Sequence, residues 1–381
     1  MSGARLARFE TTLAGLKGRA RARSLQGREG HDFASNDYIG LASSPRLADA
    51  VQAALARGVP VGAAGSRLLR GNHPEHEALE AEAAAFFGAP ACLFFGSGFD
   101  ANLALFSTLP RREDLVVHDA LIHASVHSGM AAGKAKVVSA AHNDAQAFED
   151  AIRTWRAEGG RGTPWLAVES IYSMDGDAAP LGDLVAVAER HDGFLVVDEA
   201  HATGVFGAQG RGLGAAFEGR ECLISLHTCG KGLGVSGALV SAHASLISFL
   251  INRARPFIYA TAPSPLMAAT VREALRVCAD EPERRDRLST LVRHAEARLA
   301  SRLGVPASGS QIIPVMIGSN ARAMEVARRV QAAGFDCRAI RPPTVPEGTA
   351  RLRISLTLNV DAATVDGLVD AIAFALQDVA A

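Results

Sequence analysis

The chain has 381 residues, with 39 Lys and Arg against 40 Asp and Glu and a formal net charge of -1. Its length points to about two domains of roughly 150 residues each, and its near-neutral balance excludes an electrostatic nucleic-acid binder. With 48% hydrophobic and 21% charged residues, it is a folded globular chain with a large core and not a disordered tail.

The first thirty residues carry Arg5, Arg8, Arg19, Arg21, Arg23 and Arg28 but no apolar run. They do not read as a secretory signal, and an Arg-rich transit peptide is the alternative. From about residue 90 a short apolar run, a turn and an amphipathic run alternate: ACLFF with DANLALFSTL, DLVVH with HASVHSGMAA, AKVVS with AQAFEDAIRTW. The rhythm continues through PWLAVES, LGDLVAVAER, GFLVVDEAH and CLISLHTCGKG. This alternation predicts parallel strands with crossover helices, helices on both faces, and an active edge at the strand C-termini.

The uncharged stretch between Lys231 and Arg253 is long enough to raise a membrane reading. It contains His243, Asn252, several serines and three glycines, and reads better as a buried strand plus a helix. Beyond Pro263 and Pro265 the composition shifts to helix formers rich in Arg and Glu. QIIPVMIG, ARAMEVARRVQAAG, FDCRAIRPP and ARLRISL then suggest a small α+β unit. The expected division is an N-terminal arm over 1–44, a large α/β domain over 45–265, and a linker helix with a small α+β domain over 266–381. The five cysteines (Cys92, Cys222, Cys229, Cys278, Cys337) form no C-x-x-C pair, which argues against a disulfide framework or zinc knuckle and fits a reducing cytoplasm.

Four places could carry chemistry. In GFLVVDEAH, Asp198, Glu199 and His201 follow a buried run. They could form a capped polar loop or a metal site, although Asp-x-x-His lacks an obvious third ligand. Alternatively, Asp198 could be the counter-ion of a buried cationic heterocycle. In HTCGKGLGVSG, Lys231 stands between Gly230 and Gly232 with no acid beside it in sequence. It could be a solvated surface group or a partly desolvated lysine suited to Schiff-base chemistry. The overlapping Gly232-x-Gly234-x-x-Gly237 matches a dinucleotide fingerprint, but no acidic residue follows before Glu273 to hold a ribose. FFGSGFDAN sets Ser97, Gly98 and Phe99 between a strand and a helix, where amides and a hydroxyl can cradle a phosphate; a plain turn is the simpler reading. His123 could be a core or cap residue, half of a metal pair with His127, or a ring stacked on an aromatic cofactor. Together, a phosphate cradle, a stacking imidazole, a strand-end Asp and a glycine-flanked Lys describe pyridoxal 5'-phosphate (PLP) better than any other cofactor.

The strings SNDYIGLASSP, GSRLLRGNHPEHEALE, YSMDGDAAPL, DEAHATGVFGAQGRG, GKGLGVSGA and IRPPTVPEGTARLRISL resemble the α-oxoamine synthases, within the aspartate-aminotransferase-like, fold type I class of PLP-dependent transferases. The resemblance runs from about Phe33 to about Leu358. It implies a large, mainly parallel sheet domain with a smaller C-terminal α+β domain. It also implies that Lys231 carries PLP as a Schiff base, Asp198 pairs with the pyridine nitrogen, His123 stacks on the ring, and Ser173 and His201 contact the phenolic oxygen. These make Lys231, His123, Asp198 and His201 the expected catalytic residues. Thr228 and the Gly98 and Phe99 backbone would hold the phosphate. Thr261 would reach the phosphate of a neighbouring subunit in a homodimer, and Arg353 would bind the amino-acid carboxylate.

Within the family, the tail IRPPTVPEGTARLR resembles that of members condensing L-alanine with a pimeloyl thioester, and this resemblance implies L-alanine and a pimeloyl thioester of CoA or acyl carrier protein as substrates, with a glycine-using member of the family as the alternative. No metal, nucleic acid or membrane is implied, and a cytoplasmic enzyme is. A non-catalytic protein of this fold would need a lesion at Asp198, His201 or Lys231, and all three are present. Two departures from the family pattern are Cys229, where a bulkier apolar residue is usual and which could sensitise the site to oxidation, and Glu199, where an Asp is frequent.

Overall fold

The computed structural model describes residues 4–378, and the chain divides into two compact units. The smaller comprises residues up to Ser35, Met174–Gly176 and everything from Arg287; the larger comprises Asn36–Ser173 and Asp177–Asp286. In chain order, α1 (Ala4–Gly18) and β1 (His31–Asp32) belong to the smaller unit. The larger unit begins with α2 (Pro45–Ala56) and α3 (Pro74–Phe87). It continues as β2 (Ala91–Phe95), α4 (Gly98–Thr108), β3 (Leu115–Asp119), α5 (Ala124–Ala132), β4 (Lys136–Ala140), α6 (Ala145–Ala157), β5 (Pro164–Glu169), α7 (Leu181–Arg190) and β6 (Phe194–Asp198). It closes with β7 (Leu223–Thr228), β8 (Ala238–Ala242), α8 (Ala244–Arg253), α9 (Arg255–Ile258) and α10 (Pro265–Asp280).

The seven strands of the larger unit form one sheet in the order β2-β8-β7-β6-β5-β3-β4, in which β8 alone runs against the rest. Its central strands are buried on both faces, and side chains alternate between two cores with the period of two that a strand imposes. Val116, Trp165, Ala167 and Val196 join α4, α5, α8 and α9 on one side. Leu115, Val117, Leu166, Val168, Leu195 and Val197 join α6 and α7 on the other. This is the expected α/β architecture, and it delivers the C-terminal ends of β3, β5, β6 and β7 to one edge. The 231–253 stretch is a turn followed by β8 and α8, as its polar residues suggested, and among the described residues no helix is long and apolar enough to cross a membrane.

The boundary between the units differs from the compositional one. Residues 36–44 and 266–286 go with the larger unit, because α10 is a component of its core. Leu266 and Ala269 pack on Ala54 and Val59, and Arg272 bridges Glu75 and Glu82. Arg46 of α2 reaches Glu273, Asp280 and Glu281. The division falls inside α11 (Pro282–Leu303), where the sequence gives no break.

The smaller unit continues with β9 (Ile312–Gly318), α12 (Asn320–Ala332), β10 (Phe335–Asp336), β11 (Arg338–Ile340), β12 (Ala350–Ser355) and α13 (Ala362–Asp378). An antiparallel sheet β11-β12-β9 and a short parallel β1-β10 pair are covered by α12 and α13. Ile313, Val315, Val326, Val330, Leu352, Ile354 and Val369 are buried in it.

Candidate active site

The polar residues at the C-terminal edge of the large sheet converge within the larger unit. Asp198 ends β6 and is 6% exposed. Its Oδ2 accepts from Asn102 Nδ2 at 2.8 Å, and its Oδ1 accepts from the Ala200 amide at 3.0 Å. Asn102 lies on α4, and its Nδ2 also donates to Ser125 Oγ at 2.9 Å. Ser125 Oγ stands 2.7 Å from Nδ1 of His123. His123 caps α5, its Nδ1 accepting from the Ser125 amide, and its ring stands exposed at the site mouth. Desolvation lowers its pKa; Asp198 opposes that shift and the Lys231 charge adds to it, so at neutral pH His123 presents an uncharged aromatic face.

Lys231 sits in the turn after β7 with Nζ 2.8 Å from Nε2 of His201. The other ring nitrogen, Nδ1, is 2.6 Å from Tyr38 Oη, and that hydroxyl donates to Asn36 Oδ1 at 2.9 Å. These partners suit one tautomer: with the phenol proton given to Asn36, Nδ1–H donates to Tyr38, leaving the Nε2 lone pair to accept from Lys231. The glycines around the lysine serve packing. A Cβ on Gly232 would lie 2.4 Å from the Thr203 carbonyl oxygen, and one on Gly234, whose φ is +66°, would lie 2.5 Å from the Ala42 amide. The apparent dinucleotide fingerprint therefore joins two antiparallel strands and opens no helix, so it lacks the helix N-terminus on which a dinucleotide pyrophosphate rests.

On β7, Thr228 faces the start of α4. A Cβ at Gly98 would come 2.9 Å from Thr228 Oγ1, so only glycine leaves the space between the hydroxyl and the first amides of the helix. That space carries the positive end of an eleven-residue helix. Phe99 follows, half-exposed. Ser97, in contrast, is occupied with capping: its hydroxyl donates to Asp100 Oδ2 and accepts from the Asp100 amide.

Two further acids complete the picture. Glu169 ends β5 opposite Asp198 in the sheet register and is buried. Its Oε2 accepts from the Ser173 amide at 3.0 Å, and its Oε1 meets no hydrogen-bond donor. Burial, with the Asp198 charge adding to it, pushes its pKa up to about 8. Glu199 points away from Asp198, accepting from Ser170 Oγ and the amides of Leu213 and Gly214; burial raises it to about 7. It pins the 208–216 loop and takes no part in the site.

The residues suggested by sequence divide accordingly. Gly98, His123, Ser173, Asp198, His201, Thr228 and Lys231 all lie in this edge of the larger unit. Thr261 lies exposed in the loop between α9 and α10, and among the described residues no hydrogen bond joins it to the others. Arg353 lies on β12 of the smaller unit, 7% exposed, with Nη1 2.6 Å from Ser355 Oγ. Two expectations are corrected. Lys231 has His201 against it and interacts with the charge of the buried Glu169, although no acid is near it in sequence. Cys229 is fully buried, and burial pushes its thiol pKa well above the ordinary value, which makes it unreactive. His127 packs edge-on against His118 at 4.9 Å and shares no ligand arrangement with His123.

Tyr38, Asn102, Ser125 and Glu169 escaped the sequence reading. Tyr38 lay within a quoted string, SNDYIGLASSP, but no local signal ties it to a histidine 163 residues later.

The site fits PLP by its own chemistry: a glycine-floored anion cradle, a carboxylate held by two donors, an exposed neutral imidazole, and a lysine poised on a hydrogen-bond acceptor. A profile of the aminotransferase class I and II family matches residues 28–372. The chain belongs to that family. As a class I/II aminotransferase-family protein it is PLP-dependent and has the fold type I architecture. Among its curated relatives, the 8-amino-7-oxononanoate synthase of Anaeromyxobacter dehalogenans is 44% identical over 352 residues, covering 91% of this chain and 86% of the relative. Among solved structures of the family, the serine palmitoyltransferase of S. paucimobilis, with PLP–myriocin bound, superposes with a TM-score of 0.88 at 25% identity, covering 99% of this chain and 98% of that one. The 8-amino-7-oxononanoate synthase of Francisella tularensis superposes with a TM-score of 0.77 at 26% identity, covering 92% and 98%.

Proposed function

We propose that this protein condenses L-alanine with a pimeloyl thioester of CoA or acyl carrier protein, releasing carbon dioxide and the thiol, to give 8-amino-7-oxononanoate for biotin biosynthesis. The observation that carries the reading is the Asn36–Tyr38–His201–Lys231 chain beside the Asn102-held Asp198, in a chain 44% identical to a curated synthase of that name. Bound PLP would supply an electron sink next to the reacting carbon.

The protein's residues do the rest. Lys231 binds the cofactor and, once released, removes the proton from the alanine Cα. The Nε2 lone pair of His201 accepts a hydrogen bond from Lys231 Nζ and orients the amine lone pair toward that proton. Asp198 keeps a negative charge where the pyridine nitrogen would lie. His123 offers its ring as the stacking surface, Ser173 is assigned to the phenolic oxygen, and His201, whose Nε2 is an acceptor in this tautomer, is assigned to the proton of that phenolic group. Gly98, Phe99 and Thr228 hold the phosphate. Arg353 is assigned to the alanine carboxylate, for which a guanidinium is the natural bidentate partner. Thr261, exposed beside the 72% exposed Tyr259, is assigned to the phosphate of a second copy in a homodimer.

The test is the visible spectrum of the PLP-loaded protein on adding L-alanine and then pimeloyl-CoA, with thiol release followed in parallel and glycine and serine as alternative amino acids. A band that shifts with alanine, followed by thiol release, is expected. A response to glycine or serine alone would reassign the amino acid, and no PLP band at all would refute the reading.

A further inference from the structure

Behind the site, at the ends of β3 and β5, His142 is held by two carboxylates. Its Nδ1 is 2.8 Å from Asp119 Oδ1 and its Nε2 is 2.7 Å from Asp177 Oδ2. A neutral imidazole has one N–H and can donate to one carboxylate, so two acceptor-only partners require the imidazolium. The neighbouring Asn143 repeats the bridge, its amide donating to Asp119 Oδ2 and its Nδ2 to Asp177 Oδ2. The Tyr172 ring stands edge-on to His142 at 4.5 Å.

Each of the two aspartates also belongs to a segment that carries a site residue. Asp119 ends β3 and closes the next turn, its Oδ1 accepting from the Leu121 amide and its carbonyl from the Ile122 amide; the following residue is His123. Asp177 closes the excursion that leaves β5. Its carbonyl accepts from the Tyr172 amide, an Ile171–Ala178 bridge lies at the base, and Ser173 is the next residue out.

We infer that His142 is a positioning residue, a cationic clamp that joins the His123 turn to the Ser173 segment and so sets the spacing of two groups that face PLP. The inference rests on the site reading given above. Burial works against a charged His142, but the hydrogen bonds and charges of Asp119 and Asp177 outweigh it and lift the pKa to about 10. The groups facing His142 are those two acids and the phenol of Tyr172, with Glu169 the next charge beyond Asp119. All of these are acidic and none favours deprotonation of the ring.

The test combines a wild-type measurement with a variant pair. In the ring-nitrogen NMR spectrum of the wild type at pH 8, His142 should show both nitrogens protonated; a neutral tautomer there would overturn the clamp. For His142→Ala, PLP titrated into the apoprotein should bind about tenfold more weakly, the scale on which losing a supporting partner behind a binding site acts. Two carboxylates that share Asn143 but no longer have a cation between them then repel, so His142→Ala/Asp177→Asn should regain part of that affinity, which lost packing alone does not predict. Added imidazole should restore part as well. If wild type binds PLP and His142→Ala binds it equally, the inference is wrong while the reading of the site stands. If wild type itself fails to bind PLP, both fall.

Discussion

Tyr38→Phe removes one oxygen atom from a side chain that is fully buried and leaves its ring packing intact. That oxygen accepts from His201 Nδ1 and donates to Asn36 Oδ1. Without it a buried N–H of a 4% exposed histidine loses its acceptor, at a cost of about 1–3 kcal/mol for an unsatisfied buried donor. The larger consequence is chemical. Tyr38 specifies the tautomer that keeps the Nε2 lone pair facing Lys231, and the phenylalanine variant is free to place the proton on Nε2 instead. A loss of that size in the step that uses Lys231 corresponds to roughly 5–150-fold in kcat/KM. The assay is thiol release from pimeloyl-CoA with alanine, accompanied by ring-nitrogen NMR of His201. The expected result is a fall in kcat with little change in KM for the thioester and a mixed tautomer. A variant within twofold of wild type, with His201 still holding its proton on Nδ1, would refute the role given to Tyr38.

Gly98→Ala should place a methyl 2.9 Å from Thr228 Oγ1, weakening PLP by about tenfold or more while leaving the affinity for pyridoxal, which has no phosphate, nearly unchanged; equal losses for both ligands would remove Gly98 from the phosphate site. Glu169→Gln tests the buried acid through stability. Because burial lifts Glu169 to about 8 in the folded chain, above its ordinary carboxylate range, the folded state holds the extra proton. Its contribution is therefore fully present at acid pH and lost as pH rises through about 8. The glutamine variant, neutral throughout, should match wild type in apoprotein denaturation near pH 5 and exceed it near pH 9; parallel stability curves across that range would show that Glu169 is ionised in the fold.

The alternation of apolar runs and helices was enough to place the central sheet, because a strand buried on both faces has a composition that no other element needs: LVVHD, WLAVE and FLVVD carry their own burial pattern. The residues suited to PLP were equally legible where the chemistry lies just after such a run, as with Asp198, His201 and Lys231. Legibility failed where a property arises from packing between distant segments. The shift in composition at Pro265 marks a change in helix surface, not in the unit to which the helix belongs, since α10 is held to α2 and α3 by Arg46 and Arg272 reaching acids more than 180 residues away.

The same limit explains the supporting residues. Asn102 is a polar position in the middle of a helix whose neighbours Ala101, Ala104, Leu105 and Phe106 are core packing, and only the fold brings its amide to Asp198, 96 residues on. Tyr38 reads as core because it is core; what it brings to the site is a single buried hydroxyl between His201 and Asn36. Chemistry that touches a ligand needs unusual residue types and so shows in the sequence. The groups that set tautomer, charge and spacing for those residues need only an ordinary Asn, Tyr or His at the right place in three dimensions, and for that reason Tyr38→Phe and the His142 variants probe what the sequence motifs leave unspecified.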